Sequence, residues 1–323
     1  MSRGSVLFVC VSARKGVPKA AVDRVELRPG VGIVGDAHAG AWHRQVSMLD
    51  EADIESMRAQ GLDLRPGAFG ENLVLSGLDL ARLGIGSVLS VGTAELAVTQ
   101  IGKVCHARCA IYVASGDCIM PRLGVFAEVK APGEVAPGME VRVASEVPRS
   151  LPQAAVLTVS DRCAAGEMAD TAGPAVAAEV ARALDAHLAW SGIVPDERET
   201  IADRLRDLAG RGIDLVLTVG GTGLGPRDVT PEATRAVVER EVPGLPEAMR
   251  AASAALTPNA WLSRAVAGLR AGTLIVNLPG SLAGATENLH AVLEPLEHAI
   301  KMIRGTAGHP GADLGRDLPR HTQ

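Results

Sequence analysis

The chain holds 323 residues, enough for two domains of ordinary size, and at 47% hydrophobic and 21% charged it has a globular composition. Aromatic residues make up only 2%, which argues against base stacking, and a net charge of -5 argues against nucleic acid or a membrane surface as partner. No apolar run approaches the ~18 residues of a membrane span, and five cysteines without a signal-peptide pattern fit a reducing compartment, so the expected location is the cytoplasm.

The first half reads as short strands punctuated by Gly and Pro. Runs at 6–11, 22–27, 87–91, 95–99 and 140–143 are β-branched or alternate in polarity, and turn residues bound them. Only residues 50–60 form a clear helical pattern, with Asp50 as a cap and Gly61 as a stop. The spacing predicts a mainly-β, barrel-like domain over 1–145.

Its most reactive cluster is Lys103-Val104-Cys105-His106-Ala107-Arg108-Cys109, with Cys118 beyond. Cations beside a thiol favour the thiolate, which suits a nucleophile or a soft-metal ligand. Zinc is the weaker alternative, because the paired CxxC spacing is missing. The cysteines could equally be small buried hydrophobes. His38 and His43, which could simply be hydrogen-bonding residues, could join Arg44, Lys103 and Arg122 in an anion-receiving rim.

Several motifs then line up in order: Gly35-Asp36-Ala37-His38, His43-Arg44-Gln45-Val46-Ser47, Gly67-Ala68-Phe69-Gly70-Glu71-Asn72-Leu73, Thr99-Gln100-Ile101-Gly102-Lys103, Cys105-His106 and Gly116-Asp117-Cys118-Ile119-Met120-Pro121. On these the first half resembles the MOSC domain family. The resemblance implies a β-barrel associated with molybdenum cofactor, with Cys105 binding molybdenum or carrying sulfur, and His38, Arg44, Lys103 and Arg122 around it.

Residues 146–152, with Pro148 and Pro152, read as a linker. Beyond it strands and helices alternate, which predicts an α/β three-layer domain with a mostly parallel sheet over 153–306, followed by a Gly- and Pro-rich mobile tail at 307–323. Strands are expected at 155–159, 188–194, 215–217 and 273–277. Helices are expected from Pro174, through Ile201, Leu205 and Leu208, over 231–241, and over 283–304.

The stretch Val219-Gly220-Gly221-Thr222-Gly223-Leu224-Gly225-Pro226-Arg227-Asp228 joins a buried strand to a helix that opens at Thr230-Pro231. Bare N–H groups and a helix dipole there could receive an anion, although a glycine turn can also serve geometry alone. It is not a Walker loop, for no Gly-Lys-Ser/Thr follows. In a parallel sheet the ligand lies beyond the carboxyl ends of the strands, and Ser160, Asp161, Asp196, Asp228 and Asn277 all fall there.

On Ser160-Asp161-Arg162, Asp170, Gly173, Val194-Pro195-Asp196-Glu197, Gly220 to Thr234, Leu262-Ser263-Arg264 and Asn277-Leu278-Pro279-Gly280, the second half resembles the molybdopterin adenylyltransferase family. The resemblance implies Mg2+-dependent adenylylation of molybdopterin by ATP, with pyrophosphate released. Asp196 and Asp228 would be the essential acids, and Asp228 a magnesium ligand. Ser160, Asp161, Gly221, Thr222, Gly223, Ser253, Asn277, Pro279 and Gly280 would contact substrate. Apart from the resemblance, Arg227 could stabilise the leaving pyrophosphate or equally be an ion-pair partner of a neighbouring acid. It also implies a homotrimer through the second half and contact with other cofactor-biosynthesis or molybdoenzyme proteins. The competing reading is a non-catalytic protein that binds and delivers the cofactor, disfavoured because both Asp196 and Asp228 are present.

Overall fold

A computed structural model describes residues 2–103, 112–113 and 118–306. The chain divides after Leu151 into two compact units.

In the first unit the chain runs β1 (Arg3–Val11), β2 (Ala20–Val22), β3 (Val25–Arg28), β4 (Gly32–Ile33), β5 (Val46–Asp50), α1 (Glu51–Arg58), β6 (Leu73–Ser76), β7 (Val88–Val91), β8 (Ala94–Ile101), α2 (Met120–Leu123), β9 (Val125–Ala131), β10 (Gly133–Val135) and β11 (Glu140–Ser145). Seven strands form a ring in the order β11, β7, β8, β9, β5, β6, β1, closed where Arg3 pairs with Arg142. Closure removes the open edges that a flat sheet would present. Alternation along β8 sends Leu96 and Val98 into a core shared with Val6, Met48, Leu73, Leu89, Val125 and Val141. Strands β10, β3 and β4 form a separate small sheet. Asp50 caps α1 by accepting from the Ala52 N–H, and the helix buries Ile54 and Met57.

The second unit runs β12 (Gln153–Val159), α3 (Asp161–Ala164), α4 (Ala172–Ala183), β13 (His187–Val194), α5 (Arg198–Gly210), β14 (Leu215–Val219), α6 (Thr230–Arg235), β15 (Arg240–Glu241), α7 (Gly244–Ala254), a 3-10 turn (Pro258–Leu262), β16 (Ala267–Arg270), β17 (Thr273–Leu278) and α8 (Leu282–Ile303). Strands β13, β12, β14 and β17 are parallel neighbours, and β16 and β15 add antiparallel at one edge. The sheet is therefore mixed, a correction to the mostly parallel expectation. The tight return at Ala271-Gly272 joins β16 and β17 as a hairpin, which forces opposite directions.

Every residue of β12, β14 and β17 is buried, as strands covered on both faces require. Helices α4, α7 and α8 cover one face through Val176, Val180, Met249, Leu289, Val292 and Leu296, packed on Val156, Leu217 and Val276. The helix expected over 231–241 stops at Arg235, because Glu239 turns away to donate its N–H to Leu269 and start β15. Among the described residues no helix is long and apolar enough to cross a membrane.

Candidate active site

In the second unit a cavity of about 550 Å³ opens at the carboxyl ends of β12 and β14. Ser160 leaves β12 in extended conformation and caps α3, its Oγ accepting from the Cys163 N–H at 3.3 Å. This sets Asp161 at the rim. The Asp161 N–H donates to Asp196 Oδ2 at 2.8 Å, and the Asp196 N–H donates back to Asp161 Oδ1 at 2.9 Å. The ends of β12 and β13 are thereby locked together with both carboxylates at the cavity.

Arg227 grips Asp161 with a fork, Nε to Oδ2 at 2.9 Å and Nη2 to Oδ1 at 2.8 Å. The guanidinium holds the Asp161 carboxyl below its ordinary range. Asp196 moves the other way. Burial raises it, and the charges of Asp161 and Asp228 add to that rise. An acid kept uneasy by neighbouring acids is well suited to receive a cation.

The glycines of the turn make room for carboxylates. Gly221 sits at φ +63°, and a Cβ there would stand 2.3 Å from Thr230 Oγ1 and 3.0 Å from Asp196 Oδ1. Asp228 Oδ2 accepts the Gly225 N–H at 2.7 Å, and a Cβ on Gly223 or Gly225 would approach that oxygen to 2.9 or 2.8 Å. The turn thus closes around its own aspartate.

Ser281, at the cavity, caps the 22-residue helix α8 by accepting from the Gly284 N–H at 3.2 Å, so the positive end of its dipole faces the space. Asp170 caps α4 through the Gly173 N–H at 2.9 Å and takes the Thr158 hydroxyl at 2.6 Å. Four carboxylates, those of Asp161, Asp170, Asp196 and Asp228, thus share one cavity with a helix N-terminus.

Of the residues expected from sequence, Ser160, Asp161, Asp196, Gly221, Asp228 and Gly280 line the cavity together. Arg227 sits on Asp161, while Thr222, Gly223 and Pro279 lie outside the walls. Two others have structural posts. Asn277 is fully buried, its carboxamide donating to Thr218 Oγ1 (3.0 Å) and Thr234 Oγ1 (2.8 Å) and accepting the Val266 N–H. Ser253 is buried and accepts from Asn288 Nδ2 at 3.0 Å. Thr158, Asp170 and Ser281 line the cavity and were missing from the expected contacts. Their signals were present as helix caps, Asp170 ahead of Gly173-Pro174 and Ser281 after Pro279-Gly280.

The carboxylate oxygens are hard donors that fit magnesium, with Asp196 and Asp228 as the residues that would hold it. Among the described residues no group of three His, Cys, Asp or Glu side chains is placed to hold a metal on its own.

In the barrel unit Cys105, expected to bind molybdenum or carry sulfur, lies outside the described residues. His38 and Arg44 do meet, on Trp42: the His38 ring stacks at 6.2 Å and the Arg44 guanidinium lies 4.8 Å over the indole. His43 Nε2 bonds with Gln100 Oε1 at 2.8 Å. Lys103 is anchored near Arg122 in sequence terms through its N–H to the Pro121 carbonyl at 3.2 Å. Sequence reasoning missed Lys19, whose buried ammonium lies 2.5 Å from Asp36 Oδ2 and 3.4 Å from His38 Nδ1. Burial pulls the Lys19 ammonium below its ordinary value against the opposing pull of Asp36. Burial would raise Asp36, yet hydrogen bonds from His38 and Lys19 hold it well below the usual carboxylate range. Cys10, also in the core, is pushed up to about 12 and is inert as a nucleophile.

Residues 155–298 match the family model described as a probable molybdopterin binding domain, and residues 35–142 match the MOSC domain model. The molybdopterin adenylyltransferase of Haemophilus influenzae is 43% identical over 139 residues, which is 42% of this chain and 71% of that protein. The chain belongs to the molybdopterin adenylyltransferase family. It carries, in addition, an N-terminal MOSC domain. Gephyrin of Dictyostelium discoideum is 41% identical over 179 residues, 52% of this chain, and the match spans only 25% of that longer protein. The crystal structure of the molybdopterin biosynthesis enzyme MoaB of Thermus thermophilus is 50% identical, covers 48% of this chain and 98% of its own, and aligns with a TM-score of 0.46.

Proposed function

We propose that the second unit adenylylates molybdopterin with ATP and magnesium, and that the barrel binds or modifies the cofactor. The observation that carries this reading is the convergence of Asp161, Asp196 and Asp228 on one cavity that the N-terminus of α8 also lines. An oxygen of the pterin's terminal phosphate attacks the α-phosphorus of ATP. A new P–O bond forms, the bond from the α-phosphorus to the bridging oxygen breaks, and pyrophosphate leaves with that electron pair.

Two anions must be brought together, and the residues divide that work. The α8 N-terminus and the Gly280–Ser281 backbone receive one phosphate. Asp196 and Asp228 are the residues that would hold magnesium, and the ion would supply charge neutralisation on the polyphosphate. Arg227 is the mobile cation of the set, since its exposed pairing with Asp161 costs little to exchange for a phosphate.

On the barrel, Trp42 with Arg44, His38 and Lys15 (5.6 Å over the indole) offers a flat cationic face suited to a planar anion. We extend the reading to assembly as a homotrimer in the cytoplasm. The exposed Leu256, Trp261 and Leu262 support self-association, as large side chains left 54–70% open on one short stretch.

The deciding experiment is incubation of the full chain with molybdopterin, ATP and magnesium. Adenylylated product and pyrophosphate from wild type, both lost in Asp228→Ala, support the enzyme. Tight pterin binding without turnover would instead make the chain a carrier.

A further inference from the structure

From Gly220 to Val229 the chain joins β14 to α6 without regular secondary structure, and it carries Asp228. Ties within the stretch are local: the Asp228 N–H to the Gly225 carbonyl at 3.0 Å, and the Thr230 N–H to the Gly221 carbonyl at 3.1 Å. The Gly220 N–H is tied to the Leu278 carbonyl at 3.1 Å and Arg227 is forked onto Asp161, and a further set of bonds comes from one residue far along the chain. Arg264, between the 3-10 turn and β16, donates Nε to the Gly223 carbonyl at 2.7 Å, Nη2 to the Asp228 carbonyl and Nη1 to the Glu232 carboxylate. Its own N–H donates to the Thr222 carbonyl at 3.0 Å.

These bonds reach the start of the loop, its catalytic end and the first turn of α6. A planar guanidinium can serve three acceptors at fixed angles, whereas an ammonium acts as a point charge and cannot copy that fork. Arg264 lies outside the cavity walls, so any effect it has on the reaction passes through the loop.

We propose that Arg264 is a positioning residue that holds the Asp228 loop in the conformation used for adenylyl transfer. This rests on the adenylyltransferase reading above, and the test separates the two. Purified full-length wild type, Arg264→Ala and Arg264→Lys are compared by pyrophosphate release across a magnesium series and by amide hydrogen exchange.

The expected result is a fall of about 10²-fold in kcat for Arg264→Ala, the loss typical of a reacting group displaced by about 1 Å. A raised magnesium requirement, a smaller defect in Arg264→Lys and faster exchange confined to residues 220–230 should accompany it. A kcat within about twofold of wild type, or faster exchange spread over the whole unit, overturns the proposal. Should Arg264→Ala fail to fold, Arg264→Lys takes its place, since it keeps the charge and loses the fork. If wild type itself shows no turnover, the enzyme reading fails, and unchanged or locally raised exchange alone decides whether Arg264 holds the loop.

Discussion

Two aspartates with opposite shifts make the sharpest residue-scale contrast. Asp36 is ionised more easily in the folded chain than in the unfolded one, where its ordinary value is 3.8. Its stabilisation is therefore complete above that value and is lost as pH falls through the acid range. Asp36→Asn should cost about 3–5 kcal/mol by stranding the buried Lys19 charge, and the midpoint of its thermal unfolding should depend less on acid pH than wild type. Asp196 has the reverse sign. Its folded value is raised, so ionisation costs stability once pH exceeds the unfolded value, and that cost persists at neutral pH. Asp196→Asn keeps an acceptor for the Asp161 N–H and should raise stability at pH 7, by no more than about 1 kcal/mol because the group is only half-buried. The same variant should lose adenylylation, a trade of function for stability visible by calorimetry alongside a turnover assay.

At the scale of elements, the cap at Ser281 ties local structure to chemistry. Ser281→Ala removes an acceptor from the first turn of α8 and should cost about 1 kcal/mol, with weaker binding of the anionic substrate as the accompanying readout. Gly221→Ala should be worse for activity than for folding, because its Cβ would press on Thr230 and Asp196 at the cavity itself.

Which elements were legible follows from pattern strength. The β8 alternation and the Asp50 cap announced their elements directly. The strands β5 and β6 did not, because Val46–Asp50 and Leu73–Ser76 are buried at nearly every position and short, which leaves no clear period-2 signal. Val237-Val238 prolonged an apparent helix that long-range pairing with Leu269 cuts short. At the site, the sequence order of strand then acid or glycine places Asp161, Asp196, Gly221 and Asp228 at strand ends, and the cavity gathers them, although such residues also serve turns. Asn277 also sits near a strand end, and its carboxamide serves a buried network that only the tertiary fold reveals.

For the whole molecule, the exposed Trp261 stretch bears on assembly. Trp261→Glu should convert a trimer to monomers, read as mass by light scattering, while helicity stays unchanged; a mass equal to wild type would remove this stretch from the interface.

The ring of seven strands also constrains how the chain is made. Its seam joins residues 3–5 to residues 140–142, the first strand to the last. A chain emerging from the ribosome therefore cannot complete this unit until β11 has appeared, and through that interval β1 waits with one edge unpaired. Long-range closure of this kind is intrinsically slow. The exposed interval of this unit thus runs from the emergence of β1 to that of β11.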